Sequence, residues 1–131
     1  MPATEISTDR APRFASPLSQ AIRSGELLFT SGQVGAHPET ADMVEGGIRE
    51  QTERVMENLK AVLEAGGSSL DEVLKTTCFL TDMADFAAFN EVYAGYFPGR
   101  RPARSTVQVS ALAGAYVVEV EAIARVPESG R

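Results

Sequence analysis

Arg104 is the residue best suited to chemistry in this chain. It stands in Pro102-Ala103-Arg104-Ser105-Thr106-Val107-Gln108-Val109, a run whose alternation predicts a strand. A guanidinium is always charged, and its planar fork matches a carboxylate with two parallel hydrogen bonds. Glu119 and Glu121 follow in a second strand-like run, Tyr116 to Val126. A partly buried carboxylate can hold water against an electrophilic carbon and accept its proton. Spacing does not separate the two glutamates. Side chains alternate along a strand, so Arg104, Thr106 and Gln108 share one side of their strand. Val117, Glu119 and Glu121 share one side of theirs, opposite the apolar Val118, Val120, Ala122 and Ala124. With the two strands read as a hairpin, Arg104 and the glutamates are expected on one sheet face. Arg104 is then either a clamp for a small acid or half of an ion pair to Glu119 or Glu121.

Other candidates are less pointed. Ser31 and Thr106 offer hydroxyls near strand ends, where a bond to backbone is the competing role. Asn90 lies four residues after Phe86 and three before Tyr93, at the border of a buried stripe. There it either orients a loop or reaches a site. His37 is the only histidine and Cys78 the only cysteine, which excludes an internal disulfide and argues against a zinc site of Cys and His within one chain. Cys78 sits mid-strand and reads as a small core residue. No G-x-S-x-G, G-x-G-x-x-G or Walker pattern occurs, and Gly32 and Gly35 form no phosphate loop.

Composition narrows the partners. The chain has 131 residues, 44% hydrophobic and 23% charged, with a formal charge of −6. That suits one domain with a real core. Nucleic-acid binders carry basic surfaces for phosphate contacts. Here the only basic cluster is Arg100, Arg101 and Arg104, sized for one small acid. Net acidity also disfavours anionic membranes. No stretch approaches the ~18 apolar residues of a membrane helix, and the N-terminus has no apolar signal core. A cytoplasmic location is the expectation.

The positioning elements follow from periodicity. Residues 1–16 form a loose arm or a first short strand. Ser19–Arg23 and Leu27–Ser31 flank Ser24-Gly25-Glu26 as a hairpin, and Val34–Gly46 reads as loop. Ile48, Val55, Leu59, Val62 and Leu63 mark a helix from Ile48 to Ala65, with Glu50, Glu53, Arg54, Glu57 and Lys60 outward and a left-handed stop at Gly66-Gly67. A short turn of helix at residues 69–72 leads into a strand, Val73–Leu80. Asp82 can cap a second helix, Ala84–Phe97, whose stripe is Phe86, Phe89, Tyr93 and Phe97. Strands at Ala103–Val109 and Tyr116–Val126 follow, and residues 127–131 form a polar tail. The fold class is α+β in a single domain spanning 1–131, a mixed or antiparallel sheet with two helices on one face. The other face needs water or a second subunit.

The run from Pro102 to Val109, followed by Val118-Glu119-Val120-Glu121-Ala122-Ile123-Ala124, closely resembles the C-terminal signature of the RidA/YjgF (reactive intermediate deaminase) family. Phe29-Thr30-Ser31-Gly32-Gln33, Lys75 to Leu80 with Asp82, and Asp85-Phe86 through Asn90 to Tyr93 and Phe97 match in the same order, so the resemblance spans about residues 17–125. It implies a chorismate-mutase-like fold, a homotrimer with a central barrel of packed sheets, and clefts between subunits. The implied activity is that of a 2-iminobutanoate/2-iminopropanoate deaminase-like hydrolase, releasing a 2-keto acid and ammonia from 2-enamino or 2-imino acids, with no metal or organic cofactor.

Carried over, Arg104 clamps the substrate carboxylate and Glu119 positions and deprotonates water. Ser31, Asn90 and Thr106 line the cleft. Thr106 stands where the family often has cysteine, and Leu18 where it has a tyrosine, which makes that wall less polar. Leu18 favours one alternative, a dedicated catabolic enamine or aminomuconate-type substrate. Another is a non-catalytic binding module for small carboxylates. A ribonuclease role is disfavoured by the acidic balance.

Overall fold

Short polar turns and one long amphipathic helix sort the chain into a mixed sheet covered on one side. The computed structural model describes residues 2–128. In chain order the elements are β1 (Thr4–Ile6), β2 (Ala21–Ser24), β3 (Leu27–Thr30), β4 (Gln33–Val34), α1 (Ile48–Ala65), a 3-10 turn (Leu70–Glu72), β5 (Val73–Leu80), a second 3-10 turn (Met83–Asp85), α2 (Phe86–Gly95), β6 (Ala103–Gln108) and β7 (Val118–Arg125). The sheet order is β1-β2-β3-β7-β5-β6, and β4 also pairs with β7. Among the described residues only the β5–β6 pair is parallel.

The first helix forms where its apolar period demands. Val55, Met56, Leu59, Val62 and Leu63 are fully buried against the sheet, each such side chain contributing about 1.5–3 kcal/mol. The helix stops at Gly66-Gly67, with Gly67 at φ 85°, a left-handed conformation that glycine takes without a Cβ clash. Its buried polar residues escape the periodicity. Asn58 donates to the carbonyls of Val34 and Ala36 at 3.2 and 2.9 Å. Gln51 accepts from the Val117 amide at 2.9 Å. These side chains pin the segment after β4 and the approach to β7 onto the helix, because buried backbone groups require partners.

The second helix is shorter than its stripe predicts. Asp82 accepts a hydrogen bond from the Ala84 amide at 2.9 Å, but that cap opens a 3-10 turn, and α-helix begins only at Phe86. Phe89, Tyr93 and Phe97 are buried as a ladder of rings with centroids 5.4 and 4.9 Å apart. The loop expected from Val34 contains the start of structure instead. Gln33 and Val34 pair with Val120 and Glu119, too short a run for alternation to show. Of the tail assigned to 127–131, residues 129–131 lie outside the described residues.

The pairing of the last strands corrects the expected hairpin. β6 does not pair with β7; β5 lies between them. Arg104 pairs with Thr76, which pairs with Ala122, while Val107 pairs with Phe79, which pairs with Glu119. Thr76, Cys78, Val118, Val120 and Ala122 are buried under the helices. Arg104 and Thr106 therefore point to the helix side, and Glu119 and Glu121 to the open side. Polar side chains are tolerated on the helix side of β6 because it is the edge strand, beside the rim of α2. Among the described residues, no helix is long and apolar enough to cross a membrane.

Candidate active site

Two clusters carry the candidate residues, one on each side of the sheet. On the helix side, β6 presents Arg104 to α2. Its Nη1 donates to Asn90 Oδ1 at 2.8 Å. Its guanidinium carbon lies 5.0 Å from the Tyr93 ring centroid, 5.6 Å from Phe86 and 5.8 Å from Phe89. The rings present their negative faces to the cation and leave part of its fork free. Tyr93 is itself fixed by a buried hydrogen bond between its hydroxyl and Thr76 Oγ1, 2.7 Å. Among the described residues no carboxylate lies within ion-pair distance of Arg104. The ion pair to Glu119 or Glu121 is thus not made within the chain. A cavity of about 360 Å³ opens here, lined by Asn90, Tyr93, Ala94, Arg101, Pro102 and Arg104.

Thr106 follows on the same side. Its Oγ1 is buried, with the Cys78 thiol as its polar neighbour and no partner in good hydrogen-bond geometry among the described residues, unusual for a buried hydroxyl. Cys78, its neighbour across the ladder, is buried, and burial pushes its thiol up, away from thiolate character.

On the open side, Glu119 is half-buried. Its carboxyl is pushed above the usual carboxylate range, first by burial and then by the charge of Glu121. It lies directly over Gly32, where a Cβ would collide with the Glu119 carboxyl group. Ser31 is held by its own hydroxyl, which donates to the Ser19 carbonyl at 2.5 Å, and by its amide, which donates to Gln20. Leu18, next to Ser19, is 51% exposed. The structure thus brings Ser31, Gly32 and Glu119 together, and separately Arg104, Asn90 and Thr106, while Leu18 lines a different cavity with Arg13, Phe14 and Gln20. It also distinguishes the two glutamates, since Glu121 is exposed and not packed on Gly32.

The expectation that Arg104 and Glu119 share a face is therefore wrong. They are two strands and three residues apart, roughly 14 Å between Cα atoms, and point in opposite directions. Parallel pairing with an interposed strand is a long-range contact, invisible to local alternation.

A protein-family profile described as Endoribonuclease L-PSP matches residues 8–126. A RutC family protein of Pyrococcus horikoshii is 50% identical over 119 residues, 91% of this chain and 94% of that one. The mouse 2-iminobutanoate/2-iminopropanoate deaminase is 44% identical over 119 residues, covering 91% and 88%. The chain belongs to the RidA/YjgF family. The crystal structure of RidA from an Antarctic Psychrobacter superposes with a TM-score of 0.90 at 44% identity, over 94% of this chain and 99% of that one. As a RidA relative, the protein keeps the α+β layout of two helices on a mixed sheet.

Several contributors to these RidA clusters were not singled out by sequence. Tyr93 read only as core, yet its ring faces the guanidinium. Its position three residues after Asn90 was the available signal. Gly32 belongs to no phosphate loop; its lack of a Cβ admits the Glu119 carboxylate. His37 stands apart on a cavity of about 530 Å³ whose wall carries Glu45, Glu50, Glu53 and Glu57 against the single cation Arg54, a net negative lining. Among the described residues no group of three or more His, Cys, Asp or Glu is placed to hold a metal ion.

Proposed function

We propose that the protein hydrolyses small 2-imino acids, and the 2-enamino acids that tautomerise to them, to 2-keto acids and ammonia, at sites completed between chains of a homotrimer. The observation that carries this reading is the unpaired Arg104 guanidinium, held rigid by Asn90 and three rings. A fixed fork without a carboxylate of its own is suited to the acid group of a ligand. In the balanced reaction, water adds to the imine carbon, the C=N bond becomes a carbinolamine, and its C–N bond breaks to give C=O and NH3. Glu119 accepts the proton from water as the C–O bond forms and returns it to the departing nitrogen. A raised carboxyl pKa suits that exchange near neutrality. Arg104 supplies orientation by gripping the carboxylate beside the reacting carbon.

Placement of Arg104 and Glu119 on opposite faces supports the trimer, because one chain cannot bring both to one substrate. Packed open faces, forming a central barrel, would carry Glu119, Ser31 and Leu18 of one chain toward Arg104, Asn90 and Thr106 of the next. The family description names an endoribonuclease. A charge of −6 and a small cavity favour a single small acid over a polyanion.

The test uses imines generated in situ by an amino-acid oxidase. Glu119→Gln is expected to keep affinity for a 2-keto acid while losing ammonia release, and Arg104→Ala to lose both. Equal keto-acid binding by Arg104→Ala and the parent protein, with assembly intact, would refute the clamp. A parent protein that binds keto acids but never accelerates ammonia release would be a binding module.

A further inference from the structure

The cavity beside Arg104 holds a second guanidinium. Arg101 lines it together with Arg104, and no carboxylate does. Arg100, by contrast, is turned away, donating to the Asp71 carbonyl at 2.7 Å. Arg101 uses only Nε in the fold, which donates to the Phe97 carbonyl at 3.3 Å. Its two terminal nitrogens make no hydrogen bond or ion pair among the described residues. Pro102 lies between this residue and the start of β6, and its ring restricts the backbone from which Arg101 projects.

Two cations on one cavity without a counter-charge repel each other, and the repulsion is relieved by a ligand carrying two acid groups. From this we infer that the site prefers imino and enamino acids with a second carboxylate. Arg104 takes the carboxylate next to the imine carbon, and Arg101 takes the distal one through its free terminal nitrogens. A volume of about 360 Å³ has room for a short diacid. This specificity rests on the deaminase reading above, since it presumes that Arg104 grips the substrate.

The experiment titrates the full-length protein by calorimetry with 2-oxoglutarate and with 2-oxopentanoate, which share a carbon chain and differ in the terminal acid. The parent protein is expected to bind the diacid about tenfold more tightly, the gain from one added charge-assisted hydrogen-bonded contact. Arg101→Gln should bring the two affinities to within about twofold, and Arg101→Lys should restore part of the preference. Imines of aspartate and of 2-aminobutanoate, formed by oxidases, give the same comparison as rates of ammonia release. Equal affinities in the parent, or a preference untouched by Arg101→Gln, overturns the inference. So does dissociation of the Arg101→Gln oligomer, because it assigns Arg101 to a contact between chains. If imines are hydrolysed without a diacid preference, only this inference falls. If no keto acid binds and no imine is hydrolysed, the deaminase reading falls with it.

Discussion

At the scale of single residues, the decisive property is the asymmetry between a guanidinium with no anion among the described residues and a carboxyl that resists ionising. Glu119 has a raised pKa from burial and from Glu121. The acid limb of the pH–rate profile should therefore sit above the ordinary carboxylate range, with activity falling as pH drops through it. The same shift has a stability consequence. A carboxyl whose folded pKa exceeds its unfolded value favours the fold below its unfolded pKa, and that contribution is lost as pH rises through the folded pKa. Glu119→Gln should accordingly raise Tm at pH 7, with the difference vanishing in acid where both side chains are neutral. Thermal melts across pH check this; a lower Tm at pH 7 would contradict it. Arg104→Ala should reduce kcat/KM by about a hundredfold or more, as expected for a lost charged, two-pronged contact. Arg104 was legible from its type and place on a strand after Pro102. Its freedom from an ion pair was not, because that depends on which way β6 faces.

Elements were legible to the degree that their information is local. The 18-residue α1 spans five turns, long enough for its 3.6-residue period and its glycine stop to define both ends. β5 was equally plain from its β-branched and aromatic run. β4 has two residues and is held by Asn58 from across the chain, so no local pattern could show it. That strand bears directly on the proposed site. It aligns Val34 with Glu119 and places Gly32 beneath the carboxyl. Gly32→Ala should displace Glu119, lowering kcat severalfold or more while keto-acid affinity, which depends on Arg104, is largely kept. Steady-state rates together with calorimetry read the two effects separately, and unchanged kcat would show that the carboxyl has room to move. Asn58→Leu leaves the buried Ala36 carbonyl without its donor, while the Val34 carbonyl keeps the Ala36 amide. It should destabilise the protein by about 2–3 kcal/mol, measured by denaturant unfolding.

At the scale of the whole molecule, the uncovered sheet face is the unresolved demand of the fold. It exposes Phe29 at 42% and Val107 at 44% beside the half-buried Glu119, a surface suited to burial against copies of itself. Sequence pointed to this need through the polar face, but it put Arg104 on that face too, and so missed that Arg104 and Glu119 lie on opposite faces of one chain. The consequence is testable by mixing. Arg104→Ala and Glu119→Gln should each disable every site when pure. If trimers are dissociated and reassembled from equal parts of both, a site built between chains works when its arginine comes from a Glu119→Gln chain and its glutamate from an Arg104→Ala chain. Random assembly makes that about one quarter of all sites, and ammonia release should recover to about that share of the parent rate. A site confined within one chain would recover nothing, because every chain in the mixture lacks one of the two groups. Val107→Asp provides the complementary observation: a charge on the open face should shift sedimentation toward smaller species and lower specific activity together, more steeply as protein is diluted. Full activity in a monomeric Val107→Asp protein would place arginine and glutamate in one chain's reach and end the two-chain site.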